Sequence, residues 1–232
     1  MRSRVNKRVL TIGGLLALFG VVLGVAYYIL TGGSLGGLGG SGAKKAATIA
    51  EALAPKPDDI GLGDPNAPIR MVEYASSGCV HCAHMAKETI PKVKENYIDK
   101  GLVYYVLRDF PLNNIAAGGS LIARCLPKDK FYAFMDVLFT NQHMWHSPDV
   151  PDPKEALIEL ARRAGLSREQ AEACLANKEA LARMNEILTE AVDVLKVQGT
   201  PTTYLNGERF DQAADYEALD KKLQELLAKK PN

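Results

Sequence analysis

Residues 69–82 read IRMVEYASSGCVHC, and the rest of the chain is organised around this stretch. Ile69 to Tyr74 reads as a strand, Ser76 to Cys79 as a loop, and Cys79 opens a helix that runs toward Lys100 with a kink predicted at Pro91. A cysteine at a helix N-terminus meets free N–H groups and the positive end of the helix dipole, which stabilise a thiolate. A second cysteine three residues on, Cys82, is close enough to close a small ring with it or to resolve a mixed disulfide. C-x-x-C alone is a modest signal; after a strand and at a helix start it reads as a redox pair. Covalent haem attachment is excluded because Ala83, not histidine, follows Cys82. Structural zinc needs four ligands, and only His81 and His84 stand nearby. His81, between the cysteines, is placed to favour the Cys79 thiolate by hydrogen bonding or charge.

Downstream, Leu102 to Leu107 (LVYYVL) reads as a buried strand, which completes a strand–helix–strand unit. A helical block follows. Asp152-Pro153-Lys154-Glu155 supplies an N-cap, an N1 proline and a capping-box glutamate, and Gly165 ends that helix. Ser167 with Gln170 opens the next helix. Leu181, Met184, Ile187, Leu188, Ala191, Val192 and Leu195 form one apolar face at helical spacing, read as core. Thr202 to Leu205, Asn206-Gly207 and Glu208 to Phe210 read as a hairpin with a type I′ turn, and residues 215–229 as a last amphipathic helix. Gly199-Thr200-Pro201-Thr202 leads into the hairpin; a proline there marks a special backbone turn, and a cis Thr200–Pro201 peptide would expose backbone groups to an extended substrate. Gln142 to His146 (QHMWH) reads as an exposed loop. With Cys79 and Cys82 its histidines and methionine leave a copper carrier as an alternative, since soft sulfur suits Cu(I).

The N-terminus sets the compartment. Arg2, Arg4, Lys7 and Arg8 precede an uncharged run over residues 9–30. At ~1.5 Å per residue that run spans roughly 33 Å, enough for a hydrocarbon core of ~30 Å. It is longer than a signal-peptide core of about 7–15 residues, and no small-x-small cleavage site follows closely, so a retained anchor is expected, with the chain beyond it outside the cytoplasm. Residues 31–42 (TGGSLGGLGGSG) form a tether, residues 43–54 a short alanine-rich stalk helix, and the folded domain is expected from about Asp58. The net charge of +1, without a basic stripe, gives no indication of nucleic-acid binding. Of four cysteines, Cys125 and Cys174 complete the set; the count alone allows three pairings.

Five segments in this order, GDPNAPI (63–69), the strand–loop–CVHC stretch, RDFPL (108–112), KFYAFMDVLFTNQ (130–142) and GTPTTYLNG (199–207), resemble the DsbA family of periplasmic thiol–disulfide oxidoreductases within the thioredoxin-like superfamily. The resemblance implies an α/β thioredoxin-like fold (βαβ–ββα), with residues 58–112 and 197–232 forming the thioredoxin part and 113–196 an inserted helical domain. One transmembrane helix (9–30) and a short cytoplasmic tail (1–8) precede it. It implies Cys79 as exposed nucleophile, Cys82 as its partner and Pro201 in cis beside them. It also implies Glu73, six residues before Cys79, as a buried acid and proton relay, and a second disulfide between Cys125 and Cys174. No cofactor or metal is expected. Expected partners are reduced exported proteins and a membrane redox protein, either a DsbB-like quinone-linked oxidase or a DsbD-like reductant. The expected location is the bacterial inner membrane, single pass, with a monomeric catalytic domain in the periplasm. Val80 stands where well-known members carry proline, and Thr200 where the oxidases carry valine, which leaves oxidase and isomerase readings both open.

Overall fold

In a computed structural model, residues 48–229 are described; the expected anchor and glycine tether lie outside them. Among the described residues no helix is long and apolar enough to cross a membrane. The order is α1 (Ile49–Leu53), β1 (Gly61–Leu62), β2 (Ile69–Ala75), a helical run α2 over residues 80–98, and β3 (Val103–Asp109). The helices α3 (Asn114–Cys125), α4 (Phe131–Thr140), α5 (Gln142–Trp145), α6 (Pro153–Arg163), α7 (Arg168–Leu175) and α8 (Lys178–Asp193) follow. The chain ends with β4 (Thr202–Leu205), β5 (Glu208–Arg209) and α9 (Tyr216–Ala228).

The sheet order is β1-β3-β2-β4-β5, with β2 parallel to β3 and every other pairing antiparallel. β2 is buried on both faces, so its side chains sort by parity. Met71 and Ala75 pack with Tyr105 and Leu107 against α2, α4 and α9. Val72 and Tyr74 face the other way, against α1 and α8. Within α2, π-type turns at Met85–Thr89 and Lys94–Ile98 flank Pro91, which cannot donate into the ladder and needs room for its ring. Asn206 and Gly207 take positive φ (49° and 88°), as a type I′ hairpin turn requires.

Three expectations need correction. Residues 48–57 belong to the folded domain rather than to a stalk and linker. Thr48 and Glu51 form a reciprocal capping box, and Ala52 and Leu53 are buried against Val72, Tyr74 and Ile187. The buried Arg108 guanidinium donates to the carbonyls of Ala52 (2.7 Å) and Ala54 (2.6 Å), to the Tyr74 hydroxyl and to both Asp59 oxygens, and Arg70 adds a bond to the Leu53 carbonyl. Apolar periodicity cannot foresee this, because the helix has only five residues and its partners are distant in sequence. Second, Leu181 and Val192 sit on the exposed side of α8, while Met184, Ile187 and Ala191 are buried. Third, residues 142–145 form a helix rather than an exposed loop, and Trp145 is fully buried with its indole N–H on the Leu138 carbonyl (3.0 Å). β1 was not foreseen at all: two residues pair with β3, and the Tyr104 ring lies over Gly61, where a Cβ would fall 1.9 Å from it.

Candidate active site

Cys79 is the N-cap of α2, with extended backbone (φ −85°, ψ 124°), and Val80 beside it is 68% exposed. The loop before it is clamped. Ser76 and Ser77 are fully buried, and the Ser77 hydroxyl donates to the Ala116 carbonyl (2.9 Å). The Gln142 amide donates to the carbonyls of Ser77 (2.8 Å) and Cys79 (3.0 Å), so α5 holds the loop that carries the nucleophile. His146, paired with Asn113 (3.0 Å), lies so close to Gly78 that a Cβ there would fall 2.4 Å from its ring. Gln142 and Asn113 were not foreseen as parts of the site, though the NQ at the end of a family-like segment hinted at Gln142. His146 was foreseen only as a ligand in the copper-carrier alternative, whereas here it pairs with Asn113.

Cys79 and Cys82 are free thiols here. The Cys79 thiol donates to the Thr200 carbonyl at 3.3 Å, across the Thr200–Pro201 peptide, which is cis. A hydrogen bond from the Cys82 thiol pulls Cys79 down to about 5, helped by the backbone N–H groups of Cys82 and His81 and opposed by burial. Cys82 is fully buried, and that same hydrogen bond, desolvation and the Glu73 charge raise it. The pair is asymmetric, with Cys79 pulled toward the thiolate and Cys82 held as a thiol. The expectation of an exposed nucleophile needs correction: Cys79 is 7% exposed, because the clamped loop and the Thr200 carbonyl close over its sulfur. The His81 side chain is exposed and makes no hydrogen bond among the described residues; what it brings to Cys79 is its backbone N–H. The Thr200 hydroxyl is buried beside the site without a hydrogen-bond partner.

Glu73 lies on β2 with 2% exposure, and its carboxylate accepts a 2.6 Å bond from the Tyr105 hydroxyl. Burial pushes it up to about 7, against the Tyr105 bond, and the Cys79 charge adds to the rise. Cys125 and Cys174 are joined in a disulfide that ties the end of α3 to the last turn of α7 (Cα–Cα 5.9 Å). Among the described residues no three His, Cys, Asp or Glu side chains gather closely enough to hold a metal ion.

Residues 55–225 match the family model described as thioredoxin. A putative protein-disulfide oxidoreductase of Rickettsia bellii is 29% identical over 175 residues, covering 72% of this chain and 66% of that protein, just under two thirds of its length. A probable disulfide bond formation protein D of Bacillus cereus is 28% identical, covering 72% of this chain and 78% of that protein. Among solved structures, alpha-DsbA1 of Wolbachia pipientis superposes with a TM-score of 0.73 at 26% identity, over 78% of this chain and 97% of that one. With this sheet order, a C-x-x-C at the start of α2 and a cis proline facing it, the chain belongs to the thioredoxin family as a DsbA-like member.

Proposed function

We propose that the chain is a protein-disulfide oxidoreductase that introduces disulfides into exported proteins by exchange through Cys79 and Cys82. The asymmetry of the two sulfurs carries this reading. A substrate thiolate attacks Cys79 of the Cys79–Cys82 disulfide; that bond breaks, and Cys82 leaves and takes a proton, for which Glu73 is the nearby acid. A second substrate thiolate attacks the substrate sulfur of the mixed disulfide, and Cys79 leaves as a thiolate that needs no proton at neutral pH. Two electrons pass from two substrate thiols to the cysteine pair. A leaving group of low pKa makes this direction favourable. Thr200 and Pro201 border the sulfur on the substrate side, and Cys125–Cys174 serves as a structural clasp.

Re-oxidation requires an acceptor; the proposed one is a DsbB-like, quinone-linked membrane protein. The proposed location is the periplasmic face of the inner membrane, held by residues 9–30, with a monomeric catalytic domain. A second reading, an isomerase or reductase kept reduced by a DsbD-like protein, is favoured by one observation, the threonine hydroxyl beside the sulfur in place of an apolar side chain. Alkylation trapping of the Cys79–Cys82 pair in cells separates the two. A mostly oxidised pair, with reduced RNase gaining disulfides in vitro, supports the oxidase. A mostly reduced pair, with scrambled RNase refolding, replaces it with the isomerase.

A further inference from the structure

Glu73 has one hydrogen-bond partner among the described residues, and it is a neutral one. β2 and β3 run in parallel with Glu73 opposite Leu107, so Tyr105, two residues earlier on β3, stands on the same face and reaches the carboxylate diagonally. Its hydroxyl donates to Glu73 Oε2 at 2.6 Å. The Tyr105 ring is held by Tyr132 (centroids 5.6 Å apart), whose own hydroxyl is fixed on the Ile60 carbonyl at 2.7 Å. The titratable groups facing the carboxyl are Cys79 and Cys82 from α2, Tyr105 from β3 and Tyr132 from α4; β4 brings Thr203, which does not titrate. No lysine, arginine or histidine pairs with it among the described residues.

We infer that Tyr105 is the positioning residue that keeps Glu73 able both to take a proton from Cys82 and to return it. The inference rests on Glu73 being the proton acceptor for Cys82, as proposed above. A buried carboxyl with no partner stays protonated through neutral pH, and one paired with a fixed cation stays ionised; a single neutral donor leaves it between these limits. When Cys82 attacks the Cys79 sulfur of a mixed disulfide, its proton passes to the Glu73 carboxylate, the Cys79–Cys82 bond forms and the partner thiolate leaves. In the opposite direction the protonated carboxyl returns the proton to Cys82. Both steps run at one pH only if the two forms of Glu73 coexist there.

The test is Tyr105→Phe in the full-length chain, which keeps the ring and removes only the donor. Carbon-13 NMR of labelled glutamate carboxyls reads Glu73 directly, with Glu73→Gln identifying its resonance. Loss of a hydrogen bond to a charged group should move the midpoint up by about one to two pH units. With glutathione disulfide as the probe, resolution of the Cys79 mixed disulfide at pH 7 should slow about five- to fifty-fold and recover in alkali, as the ionised fraction dictates. Adding Tyr105→Phe to Glu73→Gln should change nothing further. Should Tyr105→Phe disturb the fold, ring-fluorinated tyrosine at position 105, a stronger donor of the same shape, should move the midpoint down instead. An unmoved Glu73 midpoint with either replacement overturns the role of Tyr105. If Glu73→Gln itself leaves the pH profile of resolution unchanged, the Glu73 reading falls and this inference with it.

Discussion

Replacing Cys82 with alanine isolates the largest support of the Cys79 thiolate. In the native site Cys79 titrates at about 5. That lies about two units below neutrality, so roughly a hundred thiolates stand for each thiol at pH 7. The Cys82 thiol is the leading contributor, ahead of the backbone N–H groups of Cys82 and His81. A hydrogen bond to a charged group contributes about 1.5–3 kcal/mol, and a thiol is a weak donor, so the low end applies. At 1.36 kcal/mol per pH unit, Cys82→Ala should raise the midpoint by about one unit. Thiolate absorbance in the far ultraviolet reads it, with His81→Ala as comparator. The exposed imidazole should leave the midpoint within about half a unit. Each unit of depression also makes the disulfide about 30 mV more oxidising. Because the folded value is depressed, the thiolate stabilises the reduced protein fully above the unfolded value of ~8.5, and this is lost as pH falls through about 5. Halved for solvent screening, the effect is about 2 kcal/mol. A native midpoint near ~8.5, or a Cys82→Ala midpoint equal to the native one, would refute the reasoning.

The remaining expectations follow from buried groups. Glu73, raised to about 7 in the folded protein from an unfolded ~4.3, contributes stability below ~4.3 that is lost as pH rises through 7. Urea melts at pH 4 and pH 8 should therefore differ by on the order of 3 kcal/mol more in the native chain than in Glu73→Gln. The Cys125–Cys174 bond closes a loop with a sequence separation of 49. Replacing both cysteines with alanine should cost about 4 kcal/mol in denaturant melts, while exchange through Cys79 persists. A chain beginning at Thr48 should be as stable as one beginning at Thr31. A start at Pro55 removes the buried Leu53 and the Ala52 and Ala54 carbonyls from Arg108, and thermal melts should register a loss of about 3 kcal/mol.

Residues 69–82, with Leu102 to Leu107 and the GTPTTYLNG segment, already carried the strand–helix–strand unit, the redox pair and the hairpin. These depend on local chemistry: apolar runs, a C-x-x-C at a helix start, and an Asn-Gly turn whose positive φ values few other pairs tolerate. The N-caps Asp152 and Ser167 were legible for the same reason, since a cap bonds to a backbone N–H only three residues away. The expected capping box forms only at Ser167 with Gln170; Glu155 instead turns its carboxylate to Arg168, a stronger partner than the N-cap N–H.

What joins distant residues was not legible. Tyr105 meets Glu73 because two parallel strands fix their register, and Gln142 meets the Cys79 carbonyl because α5 folds over the active-site loop across a separation of 63 residues. Residues 48–54 looked like a stalk because a short alanine-rich helix has no apolar face of its own large enough to announce a partner. The partner is Arg108, whose buried guanidinium needs carbonyls that only this helix supplies. The sequence by itself determined where the sulfur chemistry sits, since a helix start and a cysteine pair are neighbours along the chain. How deeply Cys82 and Glu73 are buried, and which donors face them, was decided by tertiary packing, because desolvation and hydrogen bonding depend on neighbours brought together through space.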